Sequence, residues 1–109
     1  MLQDIRIARI VGSREDDGGI PLASWLQFVE ADEELQPLEF VMGRNPRTGS
    51  SVRVLLTGGA RWTGHPVSEP LPFHWEFGSV VTRGADAHTV GKAQQIATLL
   101  SAECHLLVD

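Results

Sequence analysis

Apolar residues recur along this chain in two rhythms, and each predicts a different kind of element. Ile5, Ile7 and Val11 alternate with polar neighbours such as Arg6 over residues 3–11, the period-two pattern of a half-buried strand. Leu22, Trp25, Leu26 and Val29 recur at three-and-four spacing behind Pro21, which a first helical turn tolerates, so a helix follows. Asp32, Glu33, Glu34 and Leu35 close that helix ahead of Pro37, because a residue preceding proline is pushed out of helical geometry. Near the other end Val90, Ala93, Ile96, Ala97 and Leu100 repeat the helical spacing, with Asp86 or Thr89 available as N-cap.

Between the helices, apolar runs at residues 38–42 and 52–57 flank a Gly/Asn/Pro-rich stretch at 43–49, which predicts a β-hairpin with a broad, basic tip. Glycine and proline then mark an irregular connection with Trp62 in its middle. Phe73, Trp75 and Phe77 share one face of the next strand and are expected in the core; Gly78-Ser79 turns that strand back into residues 80–83. The apolar run 104–108 reads as a closing strand inside the sheet. The expected order is β-α-β-β-β-β-α-β. This is an α+β fold, a mainly antiparallel sheet with two helices packed on one face.

Composition bounds the picture without naming a function. A chain of 109 residues with 42% apolar and 21% charged residues makes one globular domain, 1–109, with a single modest core. The lone Cys104 forms no internal disulfide, and the first thirty residues hold no apolar run long enough for a membrane span. A cytoplasmic protein, with no membrane partner, is the expectation.

Charge is distributed unevenly. Residues 15–39 contain Glu15, Asp16, Asp17, Glu30, Asp32, Glu33, Glu34 and Glu39 with no Lys or Arg, whereas residues 40–66 contain Arg44, Arg47, Arg53 and Arg61 with no acid. The first segment is therefore −8 and the second +4, in a chain of net charge −5. An acidic lobe steers encounters with basic partners and repels nucleic-acid phosphates.

Candidate chemistry is sparse. His65, His74, His88 and His105 have no ligand partners at a zinc spacing, because the neighbours Cys104 and His105 point to opposite faces of a strand. Gly18-Gly19 and Gly58-Gly59 lack the lysine and following helix that a phosphate loop needs, and no nucleophile elbow is present. The carboxylates at 30–34 sit in a polar run with nothing apolar to raise a pKa for acid–base work. These patterns predict no enzyme, no metal and no cofactor.

Two resemblances add expectations. The tip, Gly43-Arg44-Asn45-Pro46-Arg47-Thr48-Gly49, resembles the arm of HU-type DNA-bending proteins. That likeness implies Pro46 as a wedge between base steps, with Arg44 and Arg47 meeting phosphates. The wider pattern of residues 20–26, 32–35, 45–49, 60–62 and 92–97 resembles small uncharacterised bacterial proteins, some of them immunity or accessory proteins of toxin systems. It implies a binding role and transfers no catalytic residue.

The leading expectation is a non-catalytic protein-protein interaction module of immunity or accessory type. Glu30, Asp32, Glu33 and Glu34 would steer it to a basic surface on a protein partner, and Trp25 or Trp62, if partly exposed, would supply the desolvated anchor. Nucleic-acid binding by the hairpin arm is one alternative. The other is a structural protein, a homo-oligomer self-associating through an edge strand.

Overall fold

The computed structural model describes residues 2–9, 19–67 and 70–107. Glu15, Asp16 and Asp17 of the expected acidic loop, and the strand ends expected at Val11 and Val108, lie outside those residues. The elements run β1 (Gln3–Ala8), α1 (Leu22–Ala31), β2 (Leu35–Pro37), β3 (Phe40–Arg44), β4 (Ser51–Leu55), β5 (Ala60–Trp62), β6 (His74–Glu76), β7 (Ser79–Ala85), α2 (Ala87–Leu99) and β8 (Glu103–Leu107). The fold is α+β. The expected order holds once β2 with β3, and β4 with β5, are taken as the two bent arms of one long hairpin.

The main sheet has the order β6-β7-β1-β8 with every pairing antiparallel. Alternation along β1 sends Ile5 and Ile7 to the inner face, where they are fully buried with Val80 and with Ala93 and Ile96 of α2. The outer face carries exposed ion pairs, Arg6 to Glu76 at 3.6 Å and Arg83 to Asp4 at 3.9 Å. Asp86 caps α2 through Oδ1, which accepts the Thr89 N–H at 3.0 Å. At its other end the helix closes with the Ala102 N–H on the Ala97 carbonyl, a wrap that places Ser101 at φ 54°.

Four expectations need correction. Trp62 does not lie in an irregular connection but ends β5, where it pairs with β2. Leu35 does not close α1. The helix stops at Ala31 because Asp32 turns extended and its Oδ1 accepts the Glu34 N–H at 2.8 Å, a local bond that competes with the helical ladder. Leu35 instead opens β2 and pairs with Trp62 of β5. Phe77 is not core: with Gly78 it forms the two-residue turn between β6 and β7, outside the alternation that buries Phe73 and half-buries Trp75. And β8 lies at the edge of the sheet, since it pairs with β1 alone; its apolar run reads as interior, but only one of its faces meets α2.

The long hairpin bends at Gly58-Gly59. Its base, β2–β5, joins the main sheet through the Ala60–Phe73 bridge and the bond from the Trp75 N–H to the Thr57 carbonyl. At the bend the Trp25 indole N–H donates to the Gly58 carbonyl at 2.6 Å, Gly58 takes φ 59°, and a Cβ on Gly59 would run into the Leu38 carbonyl. Helix α1 thereby fixes where the hairpin turns away from the body, and β3–β4 projects as an arm. The molecule measures 46 Å in its longest dimension against 31 and 29 Å in the others.

Candidate functional site

The acidic end of α1 is tied down internally. Lys92 on α2 is buried, and its Nζ donates to Asp32 Oδ2 at 2.9 Å, Glu34 Oε1 at 3.1 Å and Gln95 Oε1 at 3.3 Å, so its three protons are all used. Glu34 Oε1 also accepts the Trp62 indole N–H at 3.2 Å. Burial works to raise the Asp32 pKa, but the Lys92 bond, the Glu34 backbone N–H and the ammonium charge outweigh it and bring it below the ordinary value. The Lys92 and Trp62 hydrogen bonds likewise lower Glu34. Beside this cluster lies an open groove of about 500 Å³ walled by Phe28, Asp32, Glu33, Lys92 and Leu99.

Of the residues expected to meet a partner, Trp25 is fully buried and Trp62 is buried, each with its N–H bonded within the chain. Neither indole is an exposed anchor. Asp32 and Glu34 face Lys92, which leaves Glu30 and Glu33 as the exposed carboxylates of the group without a bond of this kind.

Two of the histidines do converge. The rings of His65 and His88 stand 5.1 Å apart, and the Trp62 ring lies 5.6 Å from His65, both edge-on. His65 has a side-chain exposure of 2%. Its Nδ1 accepts the Val67 N–H at 3.1 Å, so the ring proton sits on Nε2 and goes to Asp86 Oδ2 at 2.7 Å. Both nitrogens are engaged, and the arrangement pins the connection after β5 to the N-terminus of α2. The Thr89 N–H and then His65 hold the Asp86 pKa down to about 2. His74 stands apart, on the outer face of β6, with its pKa lowered by burial. Among the described residues no three His, Cys, Asp or Glu side chains are grouped to hold a metal. Burial pushes the Cys104 thiol up, which keeps it protonated and a weak nucleophile at neutral pH.

The arm departs most from ordinary surface. All five residues of β4 are exposed, Leu55 at 76%, and Met42 on β3 at 61%. The register pairs Phe40 with Leu55, Val41 with Val54, Met42 with Arg53 and Gly43 with Val52. One face therefore carries Phe40, Met42 and Leu55 with Arg53 stacked 4.5 Å over the Phe40 ring, and the other carries Val41, Val52 and Val54. Among the described residues no third strand pairs with this two-stranded sheet, which carries apolar residues on both faces.

Phe77 completes this surface. It is 93% exposed and takes φ 48°, with Gly78 at 84°, the two positive angles of a type I′ turn. Asn, Asp and Gly favour the first of these positions, and a bulky aromatic there is strained. The turn is held from behind, by the Ile20 N–H on the Gly78 carbonyl and the Trp75 indole N–H on the Ile20 carbonyl, both at 2.8 Å. A groove of about 410 Å³ separates it from the arm, walled by Val54, Leu55, Trp75, Glu76 and Phe77.

Arg44, Pro46 and Arg47 are exposed at the arm's tip, where Asn45 caps a tight turn by accepting the Arg47 N–H at 2.9 Å. Sequence reasoning missed the exposure of Met42, Val54, Leu55 and Phe77. Apolar alternation reads the same whether or not a second layer covers it, and the available signal for Phe77 was its place directly before Gly78 between two alternating runs. Comparison with protein families, with curated proteins and with solved structures finds no match for this chain. No helix of the described residues is long and apolar enough to cross a membrane.

Proposed function

We propose that this chain is a non-catalytic protein-binding module that docks through the β3–β4 arm and Phe77. The observation that carries this reading is Phe77 itself, an almost wholly exposed aromatic on a strained, rigidly backed turn, facing an uncovered apolar arm across a groove. Large exposed apolar patches mark interaction sites, and aromatic anchors supply much of the energy of such contacts. Arg44, Arg47 and Arg53 give the arm a positive field suited to an acidic surface. The role differs from docking by the acidic face, because Asp32 and Glu34 serve Lys92 and both candidate tryptophans are inside.

Capture from the native cell with quantitative mass spectrometry tests this reading. Leu55→Glu combined with Phe77→Asp is expected to remove the proteins that the natural chain retains, while Glu30→Lys combined with Glu33→Lys leaves them in place. The opposite pattern would return the assignment to the acidic face. A shift of duplex DNA at low salt that Arg44→Ala with Arg47→Ala abolishes would move it to nucleic acid.

A further inference from the structure

The arm's backbone shows what kind of partner fits it. At its base the Leu56 N–H bonds the Glu39 carbonyl, and at its tip the Asn45 N–H bonds the Ser50 carbonyl, each at 2.8 Å. In an antiparallel ladder bonded residues alternate, so Val52 and Val54 turn their backbone groups to β3. The N–H and C=O groups of Ser51, Arg53 and Leu55 therefore point outward, along the edge that borders the Phe77 groove. Among the described residues no strand pairs with that edge along Ser51–Leu55; just beyond it the Thr57 carbonyl takes the Trp75 N–H of β6, which bounds the stretch open to a partner.

Resting on the reading of the arm as a protein-docking surface, we propose that its occupant is a second copy of this chain. The β4 strands of two copies pair antiparallel about a twofold axis at Val54. Three features favour this partner. The outward groups of Arg53 and Leu55 are in phase for that pairing: Arg53 lies opposite the partner copy's Leu55, Val54 opposite its own counterpart, and Val52 opposite Leu56. The valine face of each arm then continues into the other, and two marginal hairpins become one four-stranded sheet, β3-β4-β4-β3, that meets the strand count a stable sheet needs.

Charge points the same way. Residues 40–66 are +4 in a chain of −5, so the remainder of each copy is −9. Antiparallel arms send each basic tip, with Arg44 and Arg47, toward the other copy's acidic body, whereas parallel arms would bring the two tips together. Symmetry separates this pairing from a mixed one between β4 and the free edge of β8. Self-pairing of β4 is isologous and closes at two copies, while β4 on the β8 edge, at the far side of the main sheet, would run head to tail without closing. A standard interface takes roughly 800 Å² from each partner, more than a short strand edge supplies, so the partner's strand must lie against Phe77 in the groove as well.

Sedimentation of the purified chain over a range of concentrations is expected to give a species of about twice 11.9 kDa. Arg53→Pro removes an outward N–H while leaving the bonds to β3, and is expected to shift the species to monomer; Arg53→Ala keeps the dimer. On a Cys104→Ser background, Val54→Cys is expected to form a covalent dimer with oxidised glutathione, and Met42→Cys, away from the axis, to stay uncoupled. Monomer at every concentration, assemblies that grow past two, or a dimer in which Val54→Cys fails to couple would each overturn the proposal. A monomer that still captures another protein through Leu55 and Phe77 would leave the binding module standing and remove only the second copy.

Discussion

The main sheet and the β3–β4 arm are built from the same kind of alternating sequence, yet one ends as core and the other as surface. In β1, Ile5 and Ile7 find α2 across one face and Val80 beside them, and both are wholly buried. In the arm, Val52 and Val54 find Val41 beside them and remain 37% and 46% exposed, because the Gly58-Gly59 bend has already carried the hairpin off the body. Local alternation settles that a strand forms, and the bend decides whether a helix reaches it. What separates the two regions is therefore the packed joint at the bend, where the Trp25 indole meets the Gly58 turn.

Removing that joint should have the largest effect. Trp25→Ala opens a cavity in the core cluster and frees the Gly58 carbonyl, so equilibrium denaturation is expected to show a loss of about 3–5 kcal/mol. If Trp25 also sets the arm's direction, amide exchange in β3 and β4 should quicken at concentrations where the variant is still folded. Arm exchange unchanged in a folded variant would mean that Gly58-Gly59 bends the hairpin without help from α1.

A smaller effect separates the body from the arm by pH. Asp86 is held down to about 2 by the Thr89 N–H and His65, and Asp32 and Glu34 are also lowered, so all three favour the folded state when ionised. A carboxylate with a depressed folded pKa contributes stability above its ordinary pKa and loses it as pH falls through the folded value. For Asp86 that window runs from about pH 4 down to about pH 2. Thermal melts should show Asp86→Ala clearly less stable than the natural chain at pH 7, with the gap closing toward pH 2. A gap independent of pH would show that the cap and the His65 bond do not depend on the carboxylate's charge. The arm, whose charged residues are arginines, should add nothing to this acid transition.

Much of the body was legible in the sequence. The alternation of Ile5 and Ile7, the spacing from Val90 to Leu100 and the Asp86 cap each rest on neighbours close along the chain, where local geometry dominates. The Lys92 cluster was not legible, since Asp32 and Lys92 lie 60 residues apart and a polar run gives no sign that a buried ammonium will draw on it. Nor was the exposure of Leu55, because an apolar residue on a strand is ordinarily evidence for a covered face and only the three-dimensional path of the hairpin shows this one uncovered. Phe77 was misplaced for a local reason: continuing the alternation of Phe73 and Trp75 by one more step carries it past the last paired residue, Glu76, into the turn.

Phe77 also gives the smallest and most discriminating expectation. Its φ of 48° sits beside Gly78 in a turn for which Asn-Gly is the favoured pair, so Phe77→Asn relieves strain while removing a side chain that covers almost nothing of its own chain. Denaturation at low protein concentration, where association does not contribute, is expected to show a gain of about 0.5–1 kcal/mol. Capture through the arm should weaken in the same variant, since the aromatic anchor is gone. A gain in stability together with a loss of capture would mean that Phe77 is kept for contact with another molecule rather than for the fold. If Phe77→Asn lowered stability instead, the ring would be packing against its own chain, and the proposed docking surface would lose its strongest support.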